Sequence, residues 1–143
     1  MRSNFRFKAM NVIHRIVLAV SGGRLGWTAI YMPVLELTTT GRKSGRPHSV
    51  MLTSPLQEGP VFVVVASGGG DVRPPEWFLN LRDNPNVEVR LQGGPRHRMR
   101  GRVARASERE RLWPLVIADH HNYADYQRMT TREIALALLE PVG

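Results

Sequence analysis

Short apolar runs alternate along the chain with turn-forming residues, and the period of the apolar positions sorts these runs into elements. Val34 to Thr40, His48 to Thr53, Val61 to Ser67 and Val87 to Gln92 are rich in β-branched residues and bounded by Gly or Pro, which predicts four strands. The run VFVVVAS is apolar on both faces, so its strand is expected at the centre of a sheet. Arg96 to Val103 sets arginines at 96, 98, 100 and 102 against His97, Met99, Gly101 and Val103, the two-residue period of a half-exposed strand. Those arginines read as a solvated outer face. The closing EIALALLEPVG fits either period and is taken as a strand because it can close a sheet.

Helical patterns are fewer. Residues 9 to 20 read as a basic amphipathic helix stopped by Gly22-Gly23. Glu76 to Asp83 forms a short helix ended by Asn84-Pro85, after a glycine run and two prolines that predict a loop. Ser107 with Glu110 predicts a capping box for a helix through RLWPLVIADHH, which Pro114 should kink or restart. Tyr123 and Tyr126 fall on a short turn or helix beyond it. Many antiparallel strands and few helices give a mainly β chain with flanking helices, an α+β sheet or small barrel. The expected organisation is an N-terminal helix and linker over 1–24 and one folded domain over 25–143.

Composition narrows the chemistry. The chain has 143 residues and no cysteine, which excludes disulfides and thiolate catalysis and makes a reducing cytoplasm the default setting. Its net charge is +8, and 18 of its 20 cations are arginine, a balance that favours anionic partners. The apolar run IVLAV near the N-terminus is far shorter than a bilayer span, so the N-terminal helix either packs on a core or makes peripheral membrane contact. There is no G-x-S-x-G, no Walker spacing and no G-x-G-x-x-G after a strand. His120 and His121 have no carboxylate or cysteine at metal-ligand spacing, and no metal site is expected.

Three stretches carry candidate chemistry. TTTGRKSGR, residues 38–46, joins two predicted strands through Gly41 and Gly45, with Arg42, Lys43 and Ser44 between them. Such a turn frees backbone amides and adds two charges and a hydroxyl, a combination suited to phosphate; a solvated hairpin turn has the same composition. ASGGG, residues 66–70, ends the apolar strand where glycines allow a backbone to approach a flat ligand. HHNYADY offers Tyr123 and Tyr126 as walls for a planar ring and His120 or His121 as a proton donor.

In order and spacing, LTTTGRKSGRPH, ASGGG…PPEWFLNLRDNPNVEV and NYADY resemble the deazaflavin-dependent nitroreductase family of the flavin/deazaflavin oxidoreductase superfamily, over roughly residues 25 to 143. The resemblance implies a split β-barrel related to FMN-binding barrels. It also implies coenzyme F420 as cofactor, with hydride passing to a quinone, nitroaromatic or other activated acceptor. Carried across by residue, Arg42, Lys43 and Ser44 match positions that hold the cofactor phosphate. His48, Ser49, Val50, Met51, Leu52 and Thr53 match the lining strand, and Val65, Ala66, Ser67 and Gly68 the segment under the ring. Glu76, Trp77 and Asn80 match a third cofactor-contacting stretch. Tyr123 matches a tyrosine of the substrate pocket, and Tyr126 and His120 join it as candidates for the acceptor's proton. His48 stands where many members have arginine, a replacement expected either to weaken phosphate binding or to make it pH-dependent. Thr53 replaces an aromatic, Gly68 a lysine and His120 a tyrosine of the nitroimidazole-reducing member, whose substrate pocket is therefore not reproduced.

Two other readings compete: an FMN-binding oxidoreductase of the same fold, and a basic module for nucleic acid or a membrane surface. Nucleic acid is not expected, because no aromatic stacking platform interleaves the charge. The partner implied is a small-molecule acceptor, and the assembly a monomer or homodimer.

Overall fold

The computed structural model describes residues 33–142. The helix expected over 9–20, its glycine stop and the division at residue 24 lie outside the described residues. Seven strands are present: β1 (Val34–Thr40), β2 (Pro47–Thr53), β3 (Leu56–Glu58), β4 (Val61–Val65), β5 (Asn86–Arg90), β6 (Arg96–Val103) and β7 (Leu136–Pro141). Three helices accompany them: α1 (Glu76–Asp83), α2 (Ala106–Asp119) and α3 (His121–Arg128).

The strands form one antiparallel sheet in the order β2-β1-β5-β6-β7-β4-β3. β2 and β3 lie at opposite edges, yet only Ser54 and Pro55 separate them in the chain. The sheet must therefore curl until its edges approach, giving a half-barrel. Ser54, 1% exposed, sits at that junction. Its amide donates to the Pro33 carbonyl at 2.9 Å, and its hydroxyl reaches the Leu56 and Val63 carbonyls at 3.0 and 2.8 Å.

Curling divides the core. Leu35, Leu37, Leu52, Val64, Val89 and Leu139 pack with Trp77, Phe78 and Leu81 of α1 on one face. A Cβ at Gly101 of β6 would lie 2.5 Å from Leu81 Cδ1, so glycine there lets α1 close on the sheet. On the other face Val63, Val65, Leu136 and Leu138 meet Leu112 and Val116 of α2 and Tyr123 of α3.

One expectation about strand position changes. β4 is not central but second from an edge. Its apolar residues face both ways because one core covers Phe62 and Val64 and the other covers Val63 and Val65. The middle place falls to the arginine strand β6, where Arg96, Arg98 and Arg100 are exposed as expected while Arg102 is half-buried between Glu108 and Glu140. An antiparallel strand needs only one covered face to sit at the centre.

Boundaries also move. β4 stops at Val65, and the three-residue β3 is too short to show a period. α2 starts two residues before the expected capping box: Glu108, not Glu110, receives the first-turn amide, from Arg105 at 2.9 Å. Glu108 is held in that place by a two-pronged bond from Arg102, 2.7 Å on each prong. Pro114 lies on the exposed side of α2, and the helix runs through it; the Glu110 carbonyl that loses its partner stands on the same exposed side.

Candidate active site

The turn between β1 and β2 packs against α1 and leaves an open groove of about 410 Å³. It is lined by Gly41, Arg42, Lys43, Ser44, His48, Ser49, Val50, Glu76, Trp77 and Asn80, so the basic turn and the stretch holding Glu76, Trp77 and Asn80 meet in space.

Within the turn the cations divide their roles. The Arg42 amide donates to Asn80 Oδ1 at 3.2 Å, and its guanidinium reaches the same oxygen at 2.9 Å and Glu76 Oε2 at 2.6 Å. Asn80, 4% exposed, donates in turn to Thr39 Oγ1 at 3.3 Å. Arg42 is thus a clamp that fastens the turn to α1, and its hydrogen bond holds the Glu76 carboxyl below the usual range, with Lys43 and Arg73 adding to the pull. Lys43 is exposed at the groove.

The amides divide likewise. Gly41 donates to the Arg46 carbonyl and Gly45 to the Gly41 carbonyl, both at 2.8 Å, and Arg46 donates to Ser44 Oγ at 3.1 Å. Among the described residues, the amides of Lys43 and Ser44 are the ones in this turn left without a partner. Ser44 Oγ lies 3.3 Å from His48 Nε2, and the two side chains close over Gly41, where a Cβ would come within 2.7 Å of either. An exposed ammonium, two hydroxyls, an imidazole and two open amides form a donor set that fits a phosphate.

β2 links this groove to the tyrosines. At its far end Thr53 Oγ1 lies 3.0 Å from Tyr123 Oη. From His48 to Thr53 is five steps of extended chain, roughly 16 Å. Met51 and Leu52 between them are buried. Tyr123, 5% exposed, stands edge-on to Tyr126 and His120, with ring centres 6.2 and 6.4 Å away. Burial pushes its phenol up to about 12, against the lowering effect of the Thr53 hydrogen bond.

Val65, Ala66, Ser67 and Gly68 are buried where β4 ends and do not themselves line the groove. Beyond them a 3-10 turn over Gly68–Gly70 abuts the end of α3, where a Cβ on Gly70 would meet the Tyr126 carbonyl at 3.1 Å. Arg132, absent from the sequence reading, donates to three carbonyls of this segment. A lone arginine outside any motif gave no signal of that role. Among the described residues, no cluster of three or more His, Asp or Glu is placed to hold a metal, and no helix is long and apolar enough to cross a membrane.

A turn whose donor set fits a phosphate is thus joined by one strand to a buried tyrosine. The model of the F420H(2)-dependent quinone reductase family matches residues 11–141. The chain belongs to this family. It is 34% identical over 131 residues to F420H(2)-dependent quinone reductase Rv1261c of Mycobacterium tuberculosis, covering 89% of this chain and 87% of that protein. The solved structure of an F420-H2 dependent reductase, FDR-A, matches with a TM-score of 0.66 and 35% identity over 76% of this chain and 94% of that one. A second, described as a domain-swapped dimer, matches with a TM-score of 0.68 and 32% identity over 90% and 96%. At 16% identity and a TM-score of 0.53, a pyridoxamine 5'-phosphate oxidase-type protein of Listeria innocua shares the fold alone. The half-barrel of this quinone reductase family member is thus the split β-barrel expected from its sequence.

Proposed function

We propose that this chain is an F420H2-dependent quinone reductase whose cofactor lies along β2. Lys43, Ser44 and His48 hold the phosphate-bearing tail, and Thr53, Tyr123 and the Val65 to Gly68 segment flank the ring. The observation that carries the reading is the groove: it sets an exposed lysine and two open amides at one end of the strand whose other end bonds Tyr123.

When bound, the reduced deazaflavin supplies a low-potential hydride. The chain's own part is to position and exclude water. Arg42, tied to Glu76 and Asn80, keeps the turn in place so that Lys43 and the Ser44 amide face the phosphate. Ser49, 2.7 Å from Thr38 Oγ1, keeps the start of β2 registered on β1. Tyr123 stays a neutral phenol at physiological pH, so it orients an acceptor oxygen by hydrogen bonding, while the half-buried His120 and Tyr126 border the path by which solvent delivers the proton. Quinones are the acceptors proposed first, with nitro compounds as secondary ones. A homodimer, and peripheral membrane contact through the N-terminal segment, complete the proposal.

The test is a titration of the full chain with oxidised coenzyme F420, followed by fluorescence quenching, beside one with FMN. Saturable binding of the deazaflavin alone, with oxidation of the reduced cofactor by a soluble quinone, is the expected result. Preference for FMN, or binding of neither, would overturn it.

A further inference from the structure

The segment from Ala66 to Asp71 is held from within by two main-chain bonds, Gly70 to the Ser67 carbonyl at 2.9 Å and Asp71 to the Gly68 carbonyl at 3.3 Å. Gly68, Gly69 and Gly70 have φ of 53°, 67° and 85°, three successive residues in the left-handed region that only glycine occupies at low cost. A run of this kind loses much conformational freedom when it is fixed, so an outside group must add to that hold.

Arg132 does so. Its Nη1 donates to the Ala66 carbonyl at 3.1 Å, its Nη2 to the Ser67 carbonyl at 2.9 Å and its Nε to the Asp71 carbonyl at 3.0 Å. One planar guanidinium therefore grips both ends of the glycine run. Lysine, a single point donor, cannot reproduce that fork.

The backbone around Arg132 is itself anchored to α3. Gln127 Nε2 donates to the Arg132 carbonyl at 2.7 Å, and Gln127 Oε1 accepts from the Ile134 amide at 2.8 Å and from Arg109 at 3.2 Å. Gln127 lies one helical turn beyond Tyr123. The glycine run, Arg132 and Tyr123 thus form one connected body, with Gly70 seated on the end of the same helix.

We infer that Arg132 is a positioning residue of this reductase, fixing the glycine segment against Tyr123 so that the two present a single wall to the cofactor ring. The inference rests on the proposed reading of this region as the ring's place. Arg132 touches no reacting atom; it acts through the carbonyls that it binds. The groove at Lys43 shares no hydrogen bond with it, so tail binding is not its concern.

The experiment compares wild type with Arg132→Ala and Arg132→Lys in the full chain. Hydrogen exchange at the amides of residues 68–71 is measured without cofactor, and each protein is titrated with intact coenzyme F420 and with its deazaflavin fragment lacking phosphate and tail. In Arg132→Ala, exchange in the segment should rise about tenfold or more. Fragment affinity and kcat should fall by about tenfold, with intact cofactor losing affinity by a similar factor. Millimolar guanidinium should restore part of kcat to Arg132→Ala and nothing to Arg132→Lys. Should Arg132→Ala not fold, Arg132→Lys carries the same comparison, with exchange and fragment affinity still altered. Unchanged exchange in a folded variant, or undiminished fragment affinity, would overturn the inference. Failure of wild type to bind the deazaflavin would instead overturn the functional reading, and the exchange result would then decide on Arg132 by itself.

Discussion

Replacing Asn80 by alanine should separate the two jobs performed by the basic turn. Asn80 accepts from the Arg42 amide and guanidinium and donates to Thr39, and it is 4% exposed. Removing its amide group strands the Arg42 N–H and the Thr39 hydroxyl, of which Thr39 is 1% exposed, and leaves Arg42 with Glu76 alone. A buried polar group without its partner costs about 1–3 kcal/mol. Two such groups, one of them only part-buried, put the loss at about 2–4 kcal/mol, or a fall in Tm on the order of 10 °C. Lys43→Ala removes an exposed charge instead. Its stability should stay within about 0.5 kcal/mol of wild type. Its Kd for coenzyme F420 should rise about 5- to 30-fold, the cost of one charge-assisted contact, with the gap narrowing at high salt. Urea unfolding gives the stability and fluorescence quenching the affinity. If Asn80→Ala unfolds within 0.5 kcal/mol of wild type, the clamp is not what holds the turn, and the division of roles between Arg42 and Lys43 is wrong.

Two further predictions use the ionisations. Tyr123→Phe removes the bond to Thr53 and should cost about 0.5–1.5 kcal/mol of stability with less than a tenfold loss in kcat. Because the folded pKa is raised from 10 to about 12, wild type should lose stability between those values as pH rises, and urea unfolding of the variant should lack that limb. Glu108 has the opposite sign: the Arg102 hydrogen bonds, then the Arg105 amide, lower its carboxyl to about 2 from 4.5. Its contribution is complete above about 4.5 and is lost as pH falls toward 2, so Glu108→Gln should be weaker by about 1–2 kcal/mol at neutral pH, after allowance for solvent screening, and nearly equal to wild type at pH 2. A stability difference between the two proteins that does not vary with pH would count against the pairing.

The elements legible in the sequence were those with a clear period or clear stops. α1 and the second half of β6 bury one face, and β1, buried on both, is bounded by Pro33 and Gly41. Leu56 to Glu58 has too few residues to show any period. The place of β4 near an edge depends on a chain crossing at Ser54 that hydropathy does not record. In the site, the residue types were readable and their division of labour was not. Nothing local to GRKSG says that Arg42 is bound by Asn80, 38 positions away, while Lys43 is left to the groove. Arg132 is similarly invisible, since its partners are main-chain carbonyls, which every sequence possesses.

The seam of the barrel has a mechanical consequence. Where neighbouring strands are joined by ladders, β2 and β3 are joined through a two-residue bend around one serine hydroxyl. A ladder resists separation at every rung, but a bend of this kind yields at a point, like a hinge pin. Prising at Ser54 would swing β2 outward with β1 as its axis, carrying Lys43 at one end and releasing Tyr123 from Thr53 at the other. Both ends of the proposed cofactor channel would then widen in a single movement, with the remaining six strands left in register.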